Sequence, residues 1–398
     1  MVEILAISIS LLLLIVLGLR EKKNNDINID KIPIRVNVNG IRGKSTITRL
    51  IAAILTEAGY KTVGKTTGTA PRVIYDGKEE EIFRDASGVN IREQLKVIQS
   101  SKDYGADALV LECMAVNPDY QKIYQEKMVQ ANIGVIVNIR EDHLDEMGPT
   151  TDEIALAFST TVPYDGILII PDTEYNGYFT EIAQERNTKI FIADEEEIPK
   201  GYLDKFNYVV FPNNISIPLA LAKALDIDKK TALKGMLKAE ADPGALRITT
   251  IQVDGKESIF VNAMAANDPL STLDIWQMLE DDNLIQARPI VLFNARQDRV
   301  DRTIQMTKEC IPYLGSDIDL ILMGQVVEPI KVAYEKGKLK NINQLIDLSN
   351  QSGKEVRDHI YKIMDGRLVF SMGNVHGIGE EFFEAISIWD ERLNTLKL

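Results

Sequence analysis

Residues 37–46, Asn-Val-Asn-Gly-Ile-Arg-Gly-Lys-Ser-Thr, constrain the fold of this chain more than any other segment. They follow an alternating apolar run from Ile34 to Val38 that predicts a short strand, and they precede apolar residues at helical spacing from Ile47 to Leu55. In a glycine turn between a strand and a helix, backbone N–H groups can approach phosphate oxygens, and the helix N-terminus adds a favourable field. The segment therefore predicts a phosphate-binding loop.

The residues of this loop have distinct expected roles. Lys44 can reach the β- and γ-phosphates of ATP, and Ser45 would place its hydroxyl on the accompanying Mg²⁺. Val38 stands where the usual loop has its first glycine, so Gly40 gives the tighter form Gly-x-x-Gly-Lys-Ser-Thr. The alternative is an ordinary glycine turn in which Ser45 caps the helix. The predicted ATP-binding residues of the loop are Asn39, Gly40, Ile41, Arg42, Gly43, Lys44, Ser45 and Thr46.

Charge and cysteine content limit the classes of partner. A net charge of −14 without a long basic tract argues against binding to nucleic acid. The two cysteines, Cys113 and Cys310, are too few for a disulfide framework and lack metal-ligand spacing, which indicates a reducing compartment. A length of 398 residues predicts about two domains.

The first residues of the chain are strongly apolar. Residues 4–19 would span roughly 24 Å as a helix, slightly less than the ~30 Å of bilayer hydrocarbon. Arg20, Lys22 and Lys23 follow at once and are typical of the cytoplasmic side of a membrane. We expect residues 1–20 to be a single-pass anchor in the cell membrane, residues 21–30 a tether, and the catalytic domains cytoplasmic. A signal peptide and a buried core helix are the alternatives.

From Lys31 onward, strand-like apolar runs alternate with helical patterns. This alternation predicts an α/β fold with mostly parallel sheets and helices on both faces. A second series of the same kind follows Asp242-Pro243-Gly244, the best candidate for a domain boundary. We therefore expect a P-loop ATPase domain over residues 31–243 and a smaller Rossmann-like domain over residues 244–398. The predicted strands are 108–112, 133–139, 167–170, 189–192 and 208–211 in the first series, and 259–262, 289–294, 320–323 and 368–372 in the second.

Polar side chains follow two of the predicted strands, at the edge where open α/β sheets bind their ligands. Glu112 ends one strand, and its carboxylate could bind Mg²⁺ or one of the waters of that ion. His143 lies between Asp142 and Asp145, just past the next strand. Alone, this acidic cluster would more often be a helix cap and a solvated surface. Beside a phosphate loop and Glu112, it favours a metal site.

Three further motifs are uninformative by themselves. Residues 64–69, Gly-Lys-Thr-Thr-Gly-Thr, form a second glycine–threonine loop whose alternative is a plain surface turn. Asn214 begins an apolar helix and could serve simply in its cap. The segment Arg296-Gln297-Asp298-Arg299-x-x-Arg302 follows a predicted strand and could equally be a solvated turn.

Taken together, the motifs resemble those of the Mur ligase superfamily of ATP-dependent amide ligases. The phosphate loop and Asn138-x-x-x-Asp142-His143-Leu144-Asp145 are similar to the two specific signatures of that superfamily. Residues 243–247, 267–269 and 298–302 are similar to its later motifs. Within the superfamily, residues 36–46, 64–69 and 112–120 and the apolar amino-terminal segment resemble the ligase subunits of poly-γ-glutamate synthases, the PgsB/CapB type.

The resemblance implies a membrane-tethered ligase with ATP and Mg²⁺ as cofactors. Such an enzyme activates the γ-carboxylate of a glutamate chain as an acyl phosphate and joins it to the amine of glutamate, giving poly-γ-glutamate for a capsule or for release. It implies glutamate, the polymer and small membrane subunits as partners, and leaves a homo-oligomer open. Two alternatives stay open: another glutamate-adding ligase, such as one that extends folate, and a non-ligase ATPase that powers a membrane complex.

The resemblance also implies roles for single residues. Asn214 and Arg247 would contact the nucleotide. The residue 155–162 stretch contains no lysine where many relatives carry a carbamylated one, so other side chains must bind the metal. The implied catalytic residues are Lys44, Glu112 and His143; the metal ligands are Ser45, Thr67, Glu112 and His143; and the substrate contacts are Lys65, Thr67, Asp298, Arg299 and Arg302.

Overall fold

A computed structural model of the chain describes residues 2–67, 71–82, 92–141, 144–242, 245–266, 268–285, 288–387, 389 and 394–395. The chain forms two compact units. The first comprises Met1–Leu203 and Val210–Pro243, and the second comprises Asp204–Val209 and Gly244–Leu398. Each unit contains its own sheet with helices packed on it, which confirms the predicted α/β class.

The first unit is organised around an eight-stranded sheet. Its strands are β1 (Ile34–Asn39), β2 (Thr62–Lys65), β3 (Arg72–Tyr75), β4 (Lys78–Glu81), β5 (Ala108–Glu112), β6 (Ile133–Ile136), β7 (Ile167–Pro171) and β8 (Lys189–Ala193). The strand order is β4-β3-β2-β5-β1-β6-β7-β8. The pairs from β2 through β8 are parallel, whereas β3 and β4 form an antiparallel extension at one edge.

The helices of the first unit are α1 (Val2–Ile29), α2 (Lys44–Glu57), α3 (Glu93–Tyr104), α4 (Pro118–Ile123), α5 (Leu144–Met147), α6 (Thr151–Ser159), α7 (Asn176–Glu185), α8 (Pro212–Ala224) and α9 (Lys229–Met236). A π-helical segment, Tyr124–Val129, continues α4 directly, and short 3-10 turns lie at Glu195–Glu197 and Leu203–Lys205. Helices cover both faces of the sheet. On one face Val36 shares a buried cluster with Ile47 of α2 and Leu221 of α8. On the other face Leu109 shares a cluster with Ile98 of α3.

Helix α1 is longer than the sequence predicts. Among the described residues, one helix is long and apolar enough to cross a membrane, over Glu3–Ile29, and its most apolar window is not buried against the protein. The tether expected over residues 21–30 is instead helical through Ile29. The reason is tertiary: Asn25 Nδ2 donates to the Met128 carbonyl at 2.8 Å, and Asn28 Nδ2 donates to Gln99 Oε1 at 2.7 Å. Polar composition suggested a linker, but these amides are docking contacts.

The second unit has a seven-stranded sheet with the order β13-β12-β11-β14-β10-β9-β15, where the strands are β9 (Arg247–Val253), β10 (Lys256–Asn262), β11 (Ile290–Ala295), β12 (Ile318–Gly324), β13 (Ile342–Asp347), β14 (Arg367–Gly373) and β15 (Asn394–Thr395). The five strands β10 to β14 pair in parallel, and β9 is antiparallel to its neighbours. Its helices are α10 (Pro269–Asp281), α11 (Val300–Glu309), α12 (Glu328–Glu335), α13 (Gly353–Ile363) and α14 (Ile378–Ile386), with short 3-10 turns at Gln297–Arg299 and Ile311–Tyr313.

One predicted strand is wrong. Residues 208–211 are irregular, although their apolar pattern suggested a strand. Val209 N donates to the carbonyl of Leu246 at 3.1 Å, and Pro212 then begins α8. Proline is favoured in the first turn of a helix because the missing N–H would have no partner there. The helix start therefore ends the extended segment before it joins a sheet.

Candidate nucleotide site

The predicted phosphate loop joins β1 to α2. Gly40 and Gly43 both have positive φ angles, 138° and 82°, which side-chain-bearing residues rarely adopt. A Cβ on Gly40 would lie only 3.0 Å from Val137 Cβ and Val137 N. The two glycines are therefore required both by the turn and by the close approach of the chain after β6. The helix N-cap is Gly43, without a side-chain cap, so Ser45 does not cap the helix as the alternative interpretation required.

Asn138 fixes the backbone of the loop from the neighbouring strand end. Its Oδ1 atom accepts hydrogen bonds from Ile41 N and Arg42 N, both at 3.1 Å, and its Nδ2 donates to the Arg42 carbonyl at 2.8 Å. One amide thus satisfies three backbone groups that would otherwise depend on water. The sequence analysis quoted Asn138 only as part of a signature and gave it no role. The predicted strand 133–139 included Asn138, whereas β6 ends at Ile136 and leaves Asn138 in the segment that follows, next to the loop after β1.

The Lys44 ammonium lies over the loop from the first residue of α2. Its Nζ donates to the Gly40 carbonyl at 2.7 Å and to the Ile41 carbonyl at 3.0 Å. The positive charge is thereby held beside the loop and at the positive end of the α2 dipole. This is a local electrostatic environment suited to an anion such as the phosphates of a nucleotide.

Glu112 brings three predicted site residues together. It ends β5, which pairs in parallel with β1 so that Glu112 lies opposite Val38, and it is 3% exposed. Its Oε2 atom accepts from Ser45 Oγ at 2.8 Å and from Thr67 N at 2.7 Å. Thr67 therefore contributes its backbone N–H to this cluster. Parallel register alone explains why residues so far apart in sequence meet at one sheet edge.

The oxygen atoms of Ser45 and Glu112 fit a magnesium ion of the kind that nucleotides bring. Such an ion takes one or two protein oxygens and fills its other positions with phosphate oxygens and water. Within the described ranges, no group of three or more His, Cys, Asp or Glu side chains could hold a metal by itself. The Ser45 and Glu112 oxygens therefore suit a metal that arrives with ATP.

His143 and Asp142 lie outside the described residues, as does the side chain of Asp145. The metal role that the sequence predicts for His143 stays a prediction. The chain is described again from α5, Leu144–Met147, three residues after Glu141.

Lys65 differs from its expected role as a substrate contact. Its side chain is fully buried, and its Nζ lies 2.6 Å from Glu93 Oε1 at the start of α3. A buried ammonium must be paired, because an isolated charge in the interior is strongly unfavourable. Lys65 thus belongs to the packing between β2 and α3, and it does not present its charge to a substrate in this structure.

Asn214 lies between the start of α8 and the phosphate loop. It lies in the first turn of α8, where its Oδ1 accepts from Phe211 N at 3.0 Å. Its Nδ2 atom also lies 3.3 Å from the position that a Cβ on Gly43 would occupy. The residue therefore helps to begin α8 and at the same time borders the phosphate loop.

A neutral thiol adjoins this cluster. Cys113 follows Glu112 directly and is 2% exposed. Burial raises the pKa of the Cys113 thiol to about 12, well above its ordinary value. The thiol is protonated at physiological pH, which excludes it as a nucleophile beside the carboxylate.

The remaining predicted residues belong to the second unit. Asp298, Arg299 and Arg302 follow β11, at the carboxyl end of its parallel strands. Arg296 forms a bidentate pair with Asp298, with contacts of 2.9 and 2.7 Å, and Arg302 Nη1 donates to Asn374 Oδ1 at 2.8 Å. Arg247 is exposed at the start of β9. Arg247, Asp298 and Arg299 are exposed to solvent and Arg302 is half-buried, whereas the Glu112 carboxylate is buried.

A polar cavity of about 670 Å³ also opens in the second unit. It lies beyond the carboxyl ends of β12 and β13, and Lys331, Asp347 and Glu381 are among its lining residues. The Lys331 ammonium lies 2.8 Å from Asp347 Oδ2. The sequence alone does not reveal this cavity, because its lining comes from three separate segments of chain.

Comparison with known proteins identifies the family. Residues 38–239 match the Mur ligase middle domain, and residues 248–387 match the poly-gamma-glutamate synthase CapB C-terminal domain. PGA synthase CapB of Bacillus subtilis (strain 168) is 51% identical over 375 residues, which cover 94% of this chain and 95% of that protein. The chain belongs to the CapB family of Mur ligases. The resemblance inferred from its motifs is confirmed.

Two further comparisons agree with this assignment. Capsule biosynthesis protein CapB of Bacillus anthracis is 48% identical over 385 residues, 96% of this chain and 82% of that protein. Among solved structures, the bifunctional folylpolyglutamate synthase/dihydrofolate synthase of Yersinia pestis, complexed with AMPPNP and a Mn ion, superposes with a TM-score of 0.65 at 15% identity, covering 92% of each chain. The second likeness shows a shared fold across a large distance in sequence.

Proposed function

We propose that this chain is the ATP-dependent amide ligase that synthesises poly-γ-glutamate. The observation that carries the proposal is the convergence of Lys44, Ser45 and Glu112 at one sheet edge, in a chain that is 51% identical to a PGA synthase over nearly its whole length. The folate-extending ligase and the non-ligase ATPase are less well supported, since the likeness to a folylpolyglutamate synthase is one of fold at 15% identity.

The reaction must make a poor electrophile reactive. A carboxylate does not condense with an amine because its oxygen is a poor leaving group. Transfer of the γ-phosphoryl group of ATP to the γ-carboxylate gives an acyl phosphate and ADP. The amine of glutamate then attacks the acyl carbon, the C–N bond forms, inorganic phosphate leaves, and the amine loses a proton. In such chemistry the protein mainly positions the reactants and neutralises their charge.

The first unit would supply the nucleotide end of this reaction. Lys44 and the loop N–H groups would bind the β- and γ-phosphates, and Asn214 would contact the nucleotide from the start of α8. Ser45 and Glu112 would hold Mg²⁺, with His143 as a further ligand; when bound, this ion neutralises phosphate charge. Thr67 N orients the Glu112 carboxylate by donating to it at 2.7 Å.

The second unit would supply the substrate end. A polyanionic product needs local cations on a chain whose net charge is −14, and Arg299 and Arg302 offer them beyond β11. Asp298 would orient the neighbouring Arg296, and Arg247 would contact the nucleotide. The polar cavity with its Lys331–Asp347 pair carries both signs of charge, as the binding of a small zwitterion such as glutamate requires.

The amino-terminal helix would tie the ligase to a membrane. Its length and composition suit a bilayer span, and the basic residues Arg20, Lys22 and Lys23 follow the apolar part. We propose a single-pass anchor with both catalytic units on the cytoplasmic side, working with small membrane subunits of the synthase.

A product assay tests this function. Membranes that contain the full chain should release phosphate from ATP only when glutamate is present, and the product should resist ordinary peptidases because its linkages are through the γ-carboxyl. Phosphate release that depends on a folate and not on glutamate chains would favour the folate-extending alternative. Glutamate-independent hydrolysis without an isopeptide product would favour the non-ligase ATPase.

A further inference from the structure

Two pairs of buried amide side chains lie beneath the phosphate loop. Successive side chains of a strand point to opposite faces, so Asn37 and Asn39 both lie on the face of β1 opposite Val36. Asn39 Nδ2 donates to Gln121 Oε1 at 2.9 Å, and Asn37 Nδ2 donates to Gln125 Oε1 at 3.1 Å. All four side chains are at most 5% exposed. Buried amides of this kind are retained only when their hydrogen bonds are satisfied, so a specific role is expected.

The Asn39–Gln121 pair, which is nearer the loop, forms a chain of hydrogen bonds from Gly40 N to the Val116 carbonyl. We call this chain the relay, and its direction is fixed. Gln121 Nε2 donates to the Val116 carbonyl at 2.7 Å, which leaves Oε1 as the atom that faces Asn39. Asn39 must then present Nδ2 to Gln121, so its Oδ1 accepts from Gly40 N at 2.8 Å. Because a carbonyl at one end and an N–H at the other set the orientation, neither amide can flip without losing a hydrogen bond.

The relay ends on the residue that opens the phosphate loop. Gly40 has the φ angle of 138°, and its carbonyl accepts from Lys44 Nζ at 2.7 Å. Its N–H is held by Asn39 and its carbonyl by Lys44, so the first peptide units of the loop are fixed on both sides. The other end of the relay, Val116, lies in the segment that follows Glu112. The relay therefore joins the two parts of the chain that approach the nucleotide.

We propose that Gln121 is a positioning residue of the ATP site. It acts through Asn39 and holds Gly40 in the conformation in which Lys44 and the loop N–H groups can meet phosphate. Gln121 itself touches neither substrate nor metal. The proposal rests on the proposed function, since it assumes that ATP binds in this loop.

The chain supplies its own matched control. Gln125 lies one turn after Gln121, on the π-helical continuation of α4, and its Nε2 donates to the Ala131 carbonyl at 2.9 Å. Its partner Asn37 sits two residues earlier on β1, and within the described part of the chain Asn37 Oδ1 has no hydrogen-bond partner. The two glutamines match in chemistry, burial and partner type. They differ in that only the Gln121 pair continues to the loop.

The test compares Gln121→Leu with Gln125→Leu in the full-length chain in membranes. Each variant removes one buried amide, so both should lower the unfolding temperature by similar amounts. Only Gln121→Leu should raise the KM for ATP, roughly tenfold, the scale of one lost buried hydrogen bond. The KM for glutamate should not change in either variant. Peptide-level hydrogen exchange should accelerate over residues 39–44 in Gln121→Leu alone.

Two results would overturn the proposal. An equal rise in the KM for ATP in both variants would mean that general loss of stability is responsible. An unchanged KM in Gln121→Leu would mean that the loop holds its shape without the relay. If Gln121→Leu does not fold, Gln121→Met is measured instead, since it keeps the side-chain length without either hydrogen bond. A wild-type chain that binds no ATP would count against the proposed function and not against the relay.

Discussion

The two units differ in the side chains that lie at the carboxyl ends of their parallel strands. In the first unit this edge is held by short hydrogen bonds to two buried residues, Asn39 and Glu112, and to the half-buried Asn138. In the second unit the corresponding edge presents the exposed charges of Arg299 and Asp298, the latter paired with the half-buried Arg296. The first edge is held by internal hydrogen bonds, whereas the second offers its charges to solvent; we refer to them as the rigid edge and the adaptable edge.

The proposed ligands would account for this difference between the edges. A triphosphate has one size and one charge pattern, so a loop whose backbone is fixed before binding loses little conformational entropy when ATP arrives. A growing polymer has no fixed end-to-end shape. Exposed arginines can follow it, because guanidinium groups bind carboxylates in two-point contacts without a closed pocket.

The largest effect is expected from a substitution at the rigid edge. Lys44→Ala removes the only lysine that donates to the loop carbonyls among the described contacts, and it should lower ATP turnover about a thousandfold or more, as for other groups that stabilise phosphoryl transfer. Phosphate release measures the loss, and circular dichroism should show an unchanged fold. Lys122→Ala, at an exposed position of α4, is the control and should be fully active. Normal turnover in Lys44→Ala would remove this loop from the ATP site.

The next effect concerns the charge of Glu112. Glu112→Gln keeps an oxygen that can accept from Ser45 and Thr67 but removes the negative charge. The Mg²⁺ concentration that gives half of the maximal activity should rise roughly tenfold, since a charged oxygen ligand is replaced by a neutral one. A titration of activity against Mg²⁺ at saturating ATP measures this. Identical curves for the variant and the wild type would leave Glu112 with a purely structural role.

A smaller effect is expected at the adaptable edge. Arg302→Ala should raise the KM for the glutamate chain several-fold, on the order of one partly exposed charge-assisted contact, and leave the KM for ATP unchanged. Initial rates at varied polymer and ATP concentrations separate the two constants. Arg357→Ala, which removes an arginine from α13 that pairs with Asp358, is the matched control. A rise in the KM for ATP alone would reassign Arg302 to the nucleotide.

The smallest effect uses one cysteine from each unit. Burial raises the pKa of the Cys113 thiol to about 12 and the pKa of the Cys310 thiol above its ordinary value. Both thiols stay protonated and buried in the folded chain at pH 8, so alkylation reports local opening of each unit. ATP with Mg²⁺ should slow the alkylation of Cys113, because ligand binding stabilises the state that binds it, and should change that of Cys310 less. Equal protection of both thiols would show that the units open together.

Local sequence patterns identified the rigid edge in part. The phosphate loop and Glu112 could be predicted because each depends on a short run: glycines between a strand and a helix, and a carboxylate at the end of an apolar strand. Asn138 and Gln121 could not be predicted. Their roles depend on which strands are adjacent and on a π-helical segment placed under β1, which are facts of tertiary structure.

The errors have the same origin. Lys65, in a glycine–threonine loop, was predicted as a substrate contact, but its ammonium is buried and paired with Glu93 of α3. Residues 21–30 suggested a tether because they are polar, but their asparagines find partners on α3 and the π-helical segment. In both cases the composition gave the polarity of the side chains correctly. Their roles depend on partners elsewhere in the chain, which the local sequence does not show.

The continuity of α1 has a mechanical consequence. The 28 residues of α1 form one helix without a break. Its apolar half is therefore joined to the contacts with the first unit by regular helix and not by a flexible linker. When the outer half of α1 lies in a bilayer, as proposed, the first unit could not rotate freely relative to the membrane. The phosphate loop would then stay at a constant distance from the lipid surface and keep a constant orientation to it.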